Sequence, residues 1–279
     1  MEHLPIYLSA MTYAEVAAIE AAAVYVLYQG ARSAGLGIRR ATGISVGAGL
    51  VFGGWLAASS VIGGRGGYHF RLGHGVPWLP VAVIGYFVAL IALSRLPSVA
   101  HALSAPGALN RLMLPHSFRI AGIVFVVAML LGRLPPLFAL PAGFGDIAVG
   151  IATPWVTRKL TDGSGTRAAV WFNLFGMADL ISALTLGALT GFRLVSVNPP
   201  ATLNSELPLV LIPTVGVPLL FALHITSLTI LLRSRLGRER TGATRSSRCG
   251  ASQHDARPTP ASVAADDDHQ LLGLSRPRD

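Results

Sequence analysis

Apolar residues run along the chain in seven long stretches, near residues 5–28, 43–62, 78–96, 117–133, 137–156, 169–191 and 208–232. A helix needs about 20 mainly apolar residues to cross a hydrocarbon core of roughly 30 Å. The pattern therefore predicts an all-α, polytopic membrane helix bundle with about seven transmembrane helices. The shortest predicted connection, between the fourth and fifth spans, is Gly132, Arg133, Leu134, Pro135 and Pro136. Paired prolines lack amide donors and clash with a preceding helical turn, so this segment reads as a tight hairpin rather than the middle of one long helix.

Apolar periodicity stops near residue 234. Beyond it the chain turns to Arg, Ser, Thr, Pro, Gly and Asp, including Asp266, Asp267 and Asp268. Such a segment has too little apolar surface to offset the entropy of folding. The predicted organisation is a seven-helix domain over 1–233 and a disordered basic tail over 234–279. The first span has no basic segment ahead of it and carries Glu15 and Glu20 inside its apolar run, so it reads as a retained helix rather than a cleaved signal peptide.

Composition supports the membrane reading: 52% of residues are hydrophobic and 13% charged, against about 25% charged in soluble domains. The formal charge of +9 would suggest nucleic acid in a soluble protein. Here the basic residues flank the spans, so they are assigned to topology and to anionic lipid, and no nucleic-acid partner is expected. Arg32, Arg39, Arg40, Arg95, Arg111, Arg119, Arg158, Lys159 and Arg167 fall in one set of alternating loops, with nine more basic residues after 232; Arg65, Arg71, Arg133 and Arg193 form the other set. Cytoplasmic loops carry the Lys and Arg excess, which predicts the N-terminus outside and the tail inside. Lys159 is the single Lys, a composition typical of GC-rich bacterial genomes, so a bacterial plasma membrane is the expected location. The single cysteine, Cys249, excludes an intrachain disulfide and a cysteine-based metal site.

Ionisable residues inside a span cost about 2.5–3.5 kcal/mol on insertion scales and mark function or a buried partner. Counting from the predicted helix ends places Glu15, Asp146 and Asp179 near mid-membrane. Glu20 and His224 fall nearer the cytoplasmic side and Asn173 nearer still. Around Asp146, Pro141, Gly143 and Gly145 predict an interrupted helix, and Pro213 and Pro218 predict a kink ahead of His224. A polar cavity is expected between the first, fifth, sixth and seventh spans. Arg119 and Arg133 are read as lying near helix ends, which makes His224 the only deep basic group and leaves the carboxylates undercompensated.

Glu15, Asp146, Asp179, Asn173 and His224 thus form the candidate intramembrane site, suited to a proton, a cation or a small polar solute, as in a transporter. The alternative is structural: these groups satisfy one another and fix helix register. Non-enzymatic roles are favoured and no cofactor is expected. His116 and His224 suggest haem ligation only weakly, because the first is read at a helix end and no second pair accompanies them. His69 and His74, in a Gly-rich outer loop with Arg65 and Arg71, supply too few ligands for a metal. No Lys lies in a span to form a retinal Schiff base, and neither a Walker loop nor a Gly-x-Ser-x-Gly motif occurs. Small residues at four-residue spacing, Gly43 and Gly47 and again Gly49 and Gly53 in the second span and Ala183, Gly187 and Gly191 in the sixth, predict close helix packing within the bundle, with self-association as the alternative.

Two resemblances follow from these residues. Gly143, Phe144, Gly145 and Asp146 resemble the Gly-x-Gly-Asp motif of intramembrane aspartyl proteases such as presenilin and the prepilin peptidases. That likeness implies an aspartate dyad completed by Asp179. It covers four residues, reverses the family's order of the two aspartates, and lacks the Tyr-Asp and Pro-Ala-Leu elements. The stretch from Arg133 to Gly150, with Asn173, Asp179 and the Pro-rich last span ending in His224, resembles uncharacterised bacterial multipass membrane proteins. It implies the architecture and no particular activity.

Overall fold

A computed structural model describes residues 4–69 and 75–234. Arg71, His74, Cys249 and the predicted tail lie outside the described residues. The described residues are all-helical: α1 (Ile6–Ser33), α2 (Gly37–Gly64), α3 (Trp78–Ser94) and α4 (Pro97–Leu103), then α5 (Ala108–Leu130), α6 (Pro136–Thr161), α7 (Thr166–Gly191) and α8 (Ile212–Ser234). Six are individually long and apolar enough to cross a membrane, and α3 with α4 makes a seventh only as a pair bent by 85°. The predicted third span, 78–96, is therefore a shorter helix that turns sharply at Leu96–Pro97. Pro97 begins α4 because the first turn of a helix needs no amide donor there.

The hairpin between α5 and α6 forms as the prolines require. Gly132 takes φ 69°, a left-handed conformation that costs glycine little. The amide of Arg133 returns to the carbonyl of Ala128 at 2.9 Å, closing the helix end. Pro136 then opens α6.

Most of the bundle packs around α1, which lies against α2, α4 and α5, while α6 lies between α5 and α7. The core joins Val16, Ile19 and Val26 of α1 to Val124 and Phe125 of α5, Phe138 of α6 and Leu219 and Leu223 of α8. Outward faces are equally apolar: Val46 and Leu50 on α2, Ile84 and Val88 on α3, and Trp171 and Phe175 on α7 are exposed. Helices that are hydrophobic all round belong in lipid, so this is a membrane-embedded, multi-pass bundle.

Three local expectations are corrected. First, α6 runs unbroken through Pro141 and Pro154; the irregular backbone lies in its neighbours. α5 is wound as a 3₁₀ helix over Leu114–Gly122, and α8 opens with a π-helical turn over Ile212–Gly216. Pro218 has no amide for the carbonyl of Thr214 four residues back, and the indole N–H of Trp55 donates to that carbonyl at 2.8 Å. Second, α5 begins at Ala108 instead of near residue 117, which moves Arg119 from a helix end to the helix middle. Third, the small-residue face of α2 does not pack closely. A Cβ at Gly43, Gly47 or Gly53 would meet open space, and one at Gly49 would touch only Val24. On α7, Gly191 also faces open space and Gly187 makes an ordinary contact with Phe138. Close approach occurs elsewhere, as at Gly30, whose backbone sits on the carbonyl of Ala102.

Candidate functional site

The 3₁₀ winding of α5 determines what that helix presents to the bundle. With three residues per turn, positions i, i+3 and i+6 line up on one face. His116, Arg119 and Gly122 stand at that spacing and all are buried. A regular α-helix would swing them apart by about 60° at each step.

Arg119, with no exposed surface, is the hub of the cluster. Its Nε–H donates to Asp146 Oδ1 of α6 at 2.6 Å, and Nη2–H donates to Asp179 Oδ2 of α7. These two nitrogens form the edge of the guanidinium that ordinarily grips one carboxylate with two parallel bonds; here it is divided between two. Nη1 lies 3.3 Å from His224 Nε2 of α8. A guanidinium has donors only, so Nε2 accepts and the proton of a neutral His224 is on Nδ1. That proton points to Asn173 Oδ1 at 2.8 Å, and Asn173 Nδ2 donates to the carbonyl of Ala169 at 2.7 Å. Every link from Ala169 to the two aspartates has one donor and one acceptor.

Three glycines make room for these side chains in a regular order. A Cβ on Gly122 of α5 would collide with Asp146 of α6, one on Gly145 of α6 with the carboxylate of Asp179 of α7, and one on Gly176 of α7 with the imidazole of His224 of α8. Each helix leaves a berth for a polar group of the next. Gly145 of the Gly-Phe-Gly-Asp stretch thus serves to admit the second aspartate.

Glu15 of α1 completes the cluster. It is buried, its Oε2 has no hydrogen-bond partner, and its helix packs against the 3₁₀ stretch of α5. His116 stacks on His224 with ring centroids 4.0 Å apart and meets Phe172 edge-on at 5.6 Å; neither of its ring nitrogens has a partner.

Of the five sequence-predicted residues, Asp146, Asp179 and His224 contact Arg119, Asn173 joins through His224, and Glu15 is buried on α1, which packs on the same stretch of α5. The reading of Arg119 as a helix-end residue, and of His224 as the only deep basic group, is overturned by its burial among the carboxylates. The guanidinium fills space where a polar cavity was expected. His116 is likewise mid-helix, and its face-to-face stacking on a His224 whose nitrogens are both engaged is unlike a pair of axial haem ligands. Arg119 and His116 were missed; the three-residue spacing of His116, Arg119 and Gly122 directly after Pro115 was the available signal. Between the α2–α3 and α7–α8 connections, His69 faces Glu206 at 3.9 Å.

Fold and cluster together define a polytopic α-helical membrane protein with a buried arginine held by carboxylates from neighbouring helices. Within that class, residues 76–232 match the family model described as a domain of unknown function, DUF8737. The match covers more than half of the chain, and the protein belongs to this family. It spans α3 to α8 and so includes Arg119, Asp146, Asn173, Asp179 and His224, while Glu15 lies ahead of it. No curated protein and no solved structure matches the chain.

Proposed function

We propose that the Arg119 cluster is a loading site for a proton or small cation and that the protein is a coupled membrane carrier. The observation that carries this reading is an imbalance of charge. Arg119 is shared by Asp146 and Asp179, and Glu15 brings a third carboxyl with an unpartnered oxygen. Burying uncompensated charge in a low-dielectric interior is costly, so one guanidinium among three carboxyls favours uptake of positive charge. A proton on Glu15, or a cation between Glu15 and Asp146, brings the cluster closer to neutrality. The neutral His224–Asn173 pair holds the guanidinium from its other side.

Two other readings are weaker. A purely structural brace accounts for the complete chain from Ala169 to Arg119 and leaves the free oxygen of Glu15 unexplained. An aspartyl protease needs two carboxyls sharing one proton across a water, and the guanidinium stands between these two. The carrier reading places the N-terminus outside, the basic tail against anionic lipid on the cytoplasmic side, and the whole in a bacterial plasma membrane.

The test is proton and Na⁺ movement in pyranine-loaded proteoliposomes under a potential clamped with K⁺ and valinomycin. Flux driven by either ion is expected in the natural protein and lost in Glu15→Gln and Asp179→Asn proteins that retain their helical content. Flux unchanged by both substitutions would remove the cluster from any transport path.

A further inference from the structure

α2 packs on α1, α3 packs on α4, and both touch the π turn of α8; the space between α2 and α3 holds two grooves that follow one another along α2. The first, about 770 Å³, is walled by Trp55, Tyr68, Trp78 and Tyr86, with the exposed Gly54 and Gly85 also in its lining. The second, about 450 Å³, reaches from Gly43 and Gly47 to Ala23 of α1 and Thr226 of α8. Val51 lines both, so the pair is continuous along the helix. The groove-lining side chains Val51, Trp78 and Val81 are also exposed at the bundle's outer surface, which in a membrane faces hydrocarbon.

Two buried polar groups lie beside the grooves, Tyr86 in the wall of the first and Glu20 one turn along α1 from the wall of the second. Tyr86 is 4% exposed and its Oη has no partner, while the indole of Trp55 stacks beside it at 5.2 Å. Glu20 lies on α1 one turn before Ala23, which lines the second groove; it is 7% exposed and its Oε1 is unpartnered. A buried carboxyl and a buried phenol without partners are each costly. Neither groove is lined by a Lys, Arg or His, so a cation entering between α2 and α3 meets no like charge on the walls.

We propose that this groove binds lipophilic organic cations that enter sideways from the bilayer. The aromatic faces of Trp55, Trp78, Tyr68 and Tyr86 attract a cation through their ring quadrupoles. Glu20 supplies the balancing negative charge beside the second groove, and the apolar lining takes the hydrocarbon body. Each groove by itself lies in the volume range of small-molecule sites, about 300–1,000 Å³. Gly54 and Gly85, beside which a Cβ would find only open space, leave the exposed side of the groove clear. This site is separate from the Arg119 cluster and stands without the carrier reading.

Calorimetric titration of the full-length protein in detergent with tetraphenylphosphonium tests the proposal, with tetraphenylborate as an anion of the same shape. Saturable binding of the cation, at least tenfold tighter than that of the anion, is expected. Glu20→Gln is expected to weaken it at least tenfold, and Gly85→Phe, which fills the groove, to abolish it. Trp171→Phe, on the outer face of α7, is expected to leave it unchanged. Equal affinity for the two ions, or cation binding unaffected by Glu20→Gln, overturns the proposal. If Glu20→Gln does not fold, undiminished binding to Gly85→Phe overturns it in the same way.

Discussion

The carboxylate of Asp179 lies in the space that a side chain at position 145 would need. Asp179 reaches Arg119 across the backbone of α6 because residue 145 has no Cβ. Gly145→Ala therefore forces either the helix pair apart or the aspartate off its arginine. Overpacking a tight core costs about 1–3 kcal/mol, and the loss of a partner for Arg119 adds to it. Thermal unfolding in detergent is expected to show a clear fall for Gly145→Ala and almost none for Gly53→Ala, whose new methyl meets open space.

Arg119 sends three different nitrogens to Asp146, Asp179 and His224. A lysine carries the charge without the planar fork, so Arg119→Lys is expected to restore only part of the stability that Arg119→Met loses. Breaking a buried pair by removing one partner costs about 3–5 kcal/mol. The triple variant Arg119→Met, Asp146→Asn, Asp179→Asn removes the stranded charges and is expected to recover most of that loss. Equal unfolding temperatures for the single and triple variants would show that charge pairing is not what holds α5, α6 and α7 together.

Trp55 joins α2 to α8 through the Thr214 carbonyl that Pro218 leaves without an amide. Trp55→Phe keeps the ring and removes the donor, at a cost of about 1–3 kcal/mol for a buried acceptor left unpaired. Adding Pro218→Ala supplies an amide within the helix. The double variant is expected to unfold at a higher temperature than Trp55→Phe alone, and the absence of any rescue would assign Trp55 a packing role only.

The orientation inferred from loop charges can be read at Cys249, the single cysteine of the chain. A membrane-impermeant maleimide is expected to label it in inverted vesicles and to miss it in intact cells. Labelling of intact cells would reverse the topology.

The all-α architecture was legible because it depends on counts, namely runs of apolar residues set by bilayer thickness. The hairpin at Gly132–Pro136 was legible from local backbone chemistry. Arg119 was not. Asn110, Arg111, Pro115 and His116 interrupt the apolar run, so the start of α5 was placed some nine residues late and its central arginine was read as a loop charge. Its place depends on a change of helical pitch, and hydropathy does not report pitch. The glycines misled for a related reason. Four-residue spacing marks a smooth face, but only the neighbouring helix decides whether that face is covered. On α2 it borders grooves, while the glycines that do admit close neighbours, Gly122, Gly145 and Gly176, follow no such pattern. Pro141 likewise signalled a break that α6 absorbs without losing its helix.

The shortness of α3 bears on the lipid around the protein. Its 17 residues rise about 26 Å, less than the roughly 30 Å of an average hydrocarbon core, before the chain turns through 85° into α4. A span of that length draws the two leaflets together beside it, because exposing acyl chains or apolar side chains to water costs more than thinning the bilayer. Trp78, Ile84 and Val88, exposed along α3, are the side chains such a bilayer covers.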